Sequence, residues 1–326
     1  MPFPFPARFS PGRRRVLAGV AALGAGALAG CATQTAALLE APGADLPRRV
    51  ELADTPFFPQ DQRFLCGPES LAAVLHVAGR PVTPAELVPQ VYLPGRQGSL
   101  QTEMLAAARR QGAVAVPLPT RLEAVCRELA AGTPVVVLQN LGLSVSPVWH
   151  YAVAIGYDLD ERIMLLRSGR ERRAVMPLRT FEHTWARSGH WAFVALAPGR
   201  LPASAGEAEV TRALVAFERV APPEAALQGY LAALQHWPGN VTLAMGRGNT
   251  LYAAGRKREA AEAFRAIAQA HQHGAAWVNL GWVLLELGEV AQAAEAARQA
   301  VALGGHWRDQ AQALLRRVEA ARQPAS

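Results

Sequence analysis

Residues 59–76 read PQDQRFLCGPESLAAVLH. Cys66 heads an apolar pattern in which Leu71, Val74, Leu75 and Ala78 recur at helical spacing. Gly67 and Pro68 follow at once, and proline suits a first helical turn because its missing N–H loses no partner there. A thiol at that position faces the unpaired N–H groups and the positive dipole end of the helix, and both favour thiolate over thiol. Gln60 lies six residues upstream, where its side-chain amide can point at an oxyanion forming over the sulfur. A lone cysteine is ordinarily a small buried apolar residue. Gln60, the Cys66-Gly67-Pro68 turn and the helix together favour a nucleophile.

Downstream, residues 150–158 read HYAVAIGYD, a strand opened by His150. Gln60, Cys66-Gly67-Pro68 and this strand resemble the papain-like cysteine peptidase domains of the bacteriocin-processing type, over roughly residues 50–198. The resemblance implies an α+β fold, with a helical half followed by an antiparallel sheet and the site in the cleft between them. It implies that Cys66 attacks, that His150 is the base and that Gln60 donates to the oxyanion hole. The family places an Asp or Asn at the end of the next strand, where it orients the imidazole. Here that segment reads Leu165-Leu166-Arg167-Ser168-Gly169, and the matching position holds Ser168. A hairpin turning near residues 157–161 would bring Ser168 beside His150, where the hydroxyl can accept the Nδ1–H bond. Without a carboxylate the imidazolium is less stabilised, which a cysteine enzyme tolerates because its thiolate already pairs with the ring. Asp158 and Asp160 fall in the turn and read as turn formers. His76 lies ten residues along the helix from Cys66, about 15 Å away. His183 falls in a short helix, and His190, at a strand start, is the rival to His150.

At 326 residues two domains are expected, and 51% apolar residues suffices for a core in each. The formal charge of +7 comes mostly from arginines, clustered at Arg13-Arg14-Arg15, at Arg170 with Arg172-Arg173, and at Arg316-Arg317. No aromatic-interleaved basic stripe accompanies them, so nucleic acid is not an expected partner. The charge fits mild attraction to an anionic envelope surface. Arg13-Arg14-Arg15 precede an apolar run, Val16 to Ala29, too short to span a bilayer comfortably. It ends Leu28-Ala29-Gly30-Cys31, which resembles a bacterial lipobox. That resemblance implies a signal peptide over residues 1–30 and a lipid on Cys31. With Ala32 rather than Asp next, it implies anchoring at the outer membrane facing the periplasm. Arg13-Arg14 with Val16-Leu17 is also a weak twin-arginine match. Residues 31–49, small, polar and Pro/Gly-punctuated, read as a tether. Cys66 and Cys126 remain; Cys126 sits with Leu122, Val125 and Leu129 as a core residue, and a disulfide between the two stays open. No Cys-x-x-Cys and no paired His spacing occurs, so neither a metal nor a cofactor is expected.

Within the peptidase segment, Thr83-Pro-Ala-Glu86 and Thr120-Arg-Leu-Glu123 read as capping boxes opening two helices. Residues 93–99 read as a loop. Val135 to Leu138 is an apolar run suited to a buried central strand, and hairpin signals follow over residues 149–167. Residues 199–208 read as a linker, and residues 209–326 as tetratricopeptide repeats. Gly248 and Gly281, Gly255 and Gly288, and Ala260 and Ala293 are each 33 apart, and Trp277, Leu280-Gly281 and Leu284 match the pattern. Residues 306–322 would be the solvating cap helix. The function expected is an envelope-anchored cysteine peptidase whose repeats recruit a protein substrate or partner. A catalytically inactive peptide-binding scaffold on the same fold is the alternative, and amidase or acyl-transfer chemistry would use the same residues.

Overall fold

A computed structural model describes residues 33–41, 43, 45–59 and 64–322. The segment read as a signal peptide, Cys31 and Gln60 lie outside the described residues. In chain order the first half holds α1 (Thr33–Glu40), β1 (Arg49–Glu51), α2 (Cys66–Val77), α3 (Pro84–Val91), β2 (Tyr92–Leu93), β3 (Gly98–Ser99), α4 (Gln101–Arg110), β4 (Val114–Pro117) and α5 (Leu122–Ala130). Then follow β5 (Val135–Asn140), β6 (Trp149–Asp158), β7 (Ile163–Ser168), β8 (Glu171–Pro177), α6 (Leu178–Ala186) and β9 (Ala192–Leu196). The second half is helical: α7 (Glu207–Glu218), α8 (Pro223–His236), α9 (Val241–Ala253), α10 (Lys257–His271), α11 (Gly274–Glu286), α12 (Val290–Leu303) and α13 (Arg308–Arg322).

Seven strands form one antiparallel sheet in the order β4-β9-β5-β6-β7-β8, with β1 added against the far end of β6. All six residues of β5 are buried, as its unbroken apolar run requires of a strand covered on both faces. Along β6 the side chains alternate. Tyr151, Val153 and Ile155 pack against Leu71, Leu75 and Met104 of α2 and α4, while Ala152 and Ala154 face Val125, Phe181 and Trp185 of α5 and α6. The sheet is thus sandwiched between two helical layers, with the Cys66 helix on one face only. At Gly156 the pairing with β7 shifts register, and a Cβ there would collide with the Val50 carbonyl of β1.

The first capping box forms as expected: Glu86 N–H donates to Thr83 Oγ1 and the Thr83 N–H donates to the Glu86 carboxylate at 2.8 Å. The second does not. Helix α5 begins at Leu122, and its Leu122 N–H is taken by Gln34 Oε1 at 2.6 Å, a tertiary partner in place of a local one. Residues 93–99, read as a loop, carry the short β2–β3 ladder.

The stretch read as a tether begins with a docked helix. Leu38 of α1 lies in the core and Thr35 is buried. The Glu182 carboxylate on α6 accepts from the backbone N–H of Gln34 (3.1 Å) and of Thr35 (2.8 Å), and from Thr35 Oγ1 (2.5 Å). Small-residue composition suggested a free segment, but one helical turn places Thr35 and Leu38 on the same inward side. The linker is likewise held, because the Ser204 N–H and hydroxyl both donate to buried Glu128. Beyond it Val210, Ala213, Leu214 and Phe217 of α7 join the core beneath the sheet, beside edge strand β4. The remaining helices stack as tetratricopeptide-like hairpins, with Gly248 against Phe264 and Gly281 against Leu314, where no side chain fits.

Glu182→Ala removes the acceptor of three α1 donors. A loss of about 1–3 kcal/mol is expected in urea unfolding, with new proteolytic cleavage within residues 41–48. Unchanged stability and protease resistance would mean that α1 is not docked.

Candidate active site

Cys66 is the first residue of α2, whose N-terminus abuts the start of β6. The backbone N–H groups of Cys66, Gly67 and Tyr151 all reach the sulfur. Two of these are the helix-end donors expected from the sequence; the third comes from the residue after His150. Gly67 is required, since a Cβ there would stand 2.7 Å from Ser99 Cβ and 3.3 Å from Met104 Sδ. Tyr151 braces this corner: its hydroxyl donates to the Ser99 carbonyl at 3.1 Å, and its ring meets Trp191 edge-on.

The net effect on the thiol is opposite to the sequence expectation. Burial pushes the Cys66 thiol above its ordinary value, and Glu69, three residues along the helix, raises it further. The three N–H groups act the other way and are outweighed. Desolvation is the larger influence, because the half-buried thiol is largely surrounded by protein and the charged form loses most by that. His150 is pushed below the usual imidazole range, also by burial. Both shifts oppose a resting thiolate–imidazolium pair.

His150 Nε2 and Ser168 Oγ are 2.8 Å apart. The strand geometry thus brings Ser168 beside His150, on Nε2 rather than the Nδ1 that the sequence suggested. The residue after His150, Tyr151, brings its backbone N–H to the sulfur, so the start of β6 lies at the thiol. Strand β7 carries Ser168 to this place past a register shift after Leu166. Its neighbour Arg167 is buried and pins that strand end. The guanidinium donates to the carbonyls of Thr55 (3.0 and 2.8 Å), Ala53 (2.6 Å) and Arg172. Beside Ser168 lies a small, open depression lined by Pro56, Phe57, Phe58, Glu69 and Gly169.

Two other histidines of this half, His76 and His190, have structural places. His76 Nδ1 lies 2.9 Å from the Ala72 carbonyl and its ring meets Phe58. His190 lies edge-on to Trp185, with its Nε2 3.4 Å from Gln34 Nε2 and its backbone at a left-handed φ of 58°. That is the α6 side of the sheet, away from Cys66. Cys66 and Cys126 are both free thiols, and burial pushes Cys126 up to about 12. Sequence reasoning missed Glu69, Arg167 and the Tyr151 N–H. A Glu directly after Cys-Gly-Pro was the available signal for the first.

Residues 52–193 match the model of the Peptidase_C39 like family. The matched segment is the α+β half just described, which has a C39-like fold, and the helical half that follows it resembles tetratricopeptide repeats. Solved structures similar to it include a C39-like peptidase from Bacillus anthracis, at 21% identity over 45% of this chain and 97% of that one, TM-score 0.38. A double glycine motif protease from an AMS/PCAT transporter, in complex with the leader peptide, is 19% identical over 44% and 91%, TM-score 0.34. The Sgt2 TPR domain from Aspergillus fumigatus is 20% identical over 37% and 86%, TM-score 0.33. No curated protein matches the chain.

With the thiol raised and the imidazole lowered, the iodoacetamide rate at Cys66 should climb only above about pH 8.5, and Glu69→Gln should move the profile to lower pH. Cys66→Ala should abolish labelling, and Cys126→Ala should leave it unchanged. A fast plateau below pH 7 would contradict these shifts. The same sign carries to stability. A thiol whose folded value lies above its unfolded one stabilises the fold below about pH 8.5, and that contribution is lost as pH rises.

Proposed function

We propose that the chain is an envelope-anchored cysteine peptidase in which Cys66 and His150 form the catalytic pair. The observation that carries this reading is the meeting of Cys66, at the start of α2, with the start of β6, where Ser168 holds the His150 ring. When a peptide enters, His150 Nδ1 takes the thiol proton and the sulfur attacks the scissile carbonyl carbon. The oxyanion is stabilised by the Cys66 N–H and the Gln60 amide. His150 returns the proton to the leaving amine, and the acyl-enzyme is then hydrolysed by a water that His150 deprotonates. Ser168 fixes ring orientation and tautomer by accepting from Nε2–H. A hydroxyl stabilises the imidazolium less than a carboxylate does, so acylation is expected to be slow. Amidase or acyl-transfer chemistry would follow the same steps on a different acyl donor.

The lipobox-like Leu28-Ala29-Gly30-Cys31 supports lipid attachment at Cys31, and Ala32 supports the outer membrane with the domain in the periplasm. The repeats recruit a protein substrate or partner, since such arrays present an extended concave surface. The raised thiol and lowered imidazole favour a second reading, in which the cleft holds a peptide without turnover.

Trapping with a peptidyl chloromethyl ketone at pH 7 separates the two. The peptidase reading predicts one adduct, on Cys66, slowed on the order of 10²-fold by His150→Ala and several-fold by Ser168→Ala. Trapping that is indifferent to His150 would leave the scaffold.

A further inference from the structure

The β5–β6 hairpin, residues 141–148 (LGLSVSPV), carries apolar side chains into solvent beside the candidate site. Leu143 is 66% exposed and Val145 92%, and Leu141, Val148 and Trp149 are also exposed. This is a built loop. Asn140 Oδ1 accepts from the Gly142 and Val148 N–H groups at 3.0 and 2.9 Å, and the Leu141 N–H donates to the Val148 carbonyl. Arg187, just past α6, clamps its base through the carbonyls of Asn140 and Gly142. Holding an apolar tip outward costs solvation free energy that an ordinary surface loop avoids with polar residues.

The place of the loop identifies what covers it. At one end of the sheet β5 stops at Asn140, β6 starts at Trp149 and β9 starts at Ala192, as their registers show. The first turn of α1 docks at that same end. Gln34 contacts His190, the Thr120 carbonyl and the Leu122 N–H, and both Gln34 and Thr35 bond Glu182, five residues before Arg187. Cys31 precedes Thr33 by two residues, a reach of at most about 7 Å. A lipid on Cys31 would therefore hold this end of the sheet against the bilayer with almost no slack. Exposed Arg121 and Arg187 flank it and complement anionic headgroups. Trp149 is the side-chain type favoured at that depth.

The geometry points to the 141–149 hairpin as a second membrane contact: it inserts into the interfacial layer and holds the Cys66–His150 cleft at the bilayer surface. The acyl donor is then a peptide presented at that surface. This rests on the proposed lipid at Cys31.

The test uses the full chain on a Cys66→Ala, Cys126→Ala background, purified from bacterial membranes and reconstituted in phosphatidylethanolamine/phosphatidylglycerol vesicles. An environment-sensitive dye is placed at Val145→Cys or, as a control on the last helix, at Glu319→Cys. The expected result is that doxyl-labelled lipid quenches most of the Val145→Cys emission and leaves the Glu319→Cys emission unchanged. Vesicles that float with the protein while both dyes stay in water would overturn the hairpin contact and leave the anchor standing. A chain that does not float, with no lipid mass on Cys31, would remove the anchor and this inference with it. A Val145→Cys dye shielded in detergent by an added apolar peptide, but not by vesicles, would assign the patch to a peptide partner and reject the bilayer.

Discussion

Strand β6 pairs with β1, β5 and β7, and its register is the constraint on which both the fold and the candidate site depend. Gln139 opposite His150 and Val153 opposite Arg167 place the start of β6 at the mouth of the molecule. A slip of one residue would turn Tyr151 away from Ser99 and face the small Ala152 and Ala154 toward α2, exchanging the two cores. The bulges after Ala154 and Leu166 release β7 from strict pairing near the site. That local freedom lets Ser168 meet the His150 ring while Arg167, one residue earlier, turns inward to the carbonyls of Ala53 and Thr55.

The chemistry of the cleft is a contest between a helix end and desolvation. A helix N-terminus offers partial positive charge and unpaired N–H groups, which alone would favour a thiolate. Desolvation of the half-buried thiol, with the Glu69 carboxylate one turn along α2, outweighs that effect. Burial likewise disfavours the charged imidazole. A substrate that brings its own polar groups into the cleft changes that balance, so a resting state of this kind is compatible with a pair formed only during attack.

Much of this was legible in the residues. The helix after Cys66 and the buried β5 run are local patterns, and so are the 33-residue repeat and the strand opened by His150. They report periodicity, which survives without knowledge of neighbours. The order of helices before sheet also followed from the chain. What failed was set by partners distant in sequence. Residues 33–40 look like a tether until Glu182 supplies the acceptor for their N–H groups. Thr120 looks like a cap until Gln34 takes its place at Leu122. The thiolate expectation counted the helix end and could not count the desolvation that tertiary packing adds. The ring nitrogen facing Ser168 depends on strand geometry that spacing does not encode.

Imidazole NMR across pH, with His150 assigned by its loss in His150→Ala, reads the state of the pair without any substrate. Burial predicts that His150 titrates below the ordinary value of about 6.5, and that Cys66→Ala moves it little, because no thiolate faces it. A ring that stays protonated to pH 8 and drops its pKa in Cys66→Ala would show a resting ion pair. Desolvation would then not govern the site.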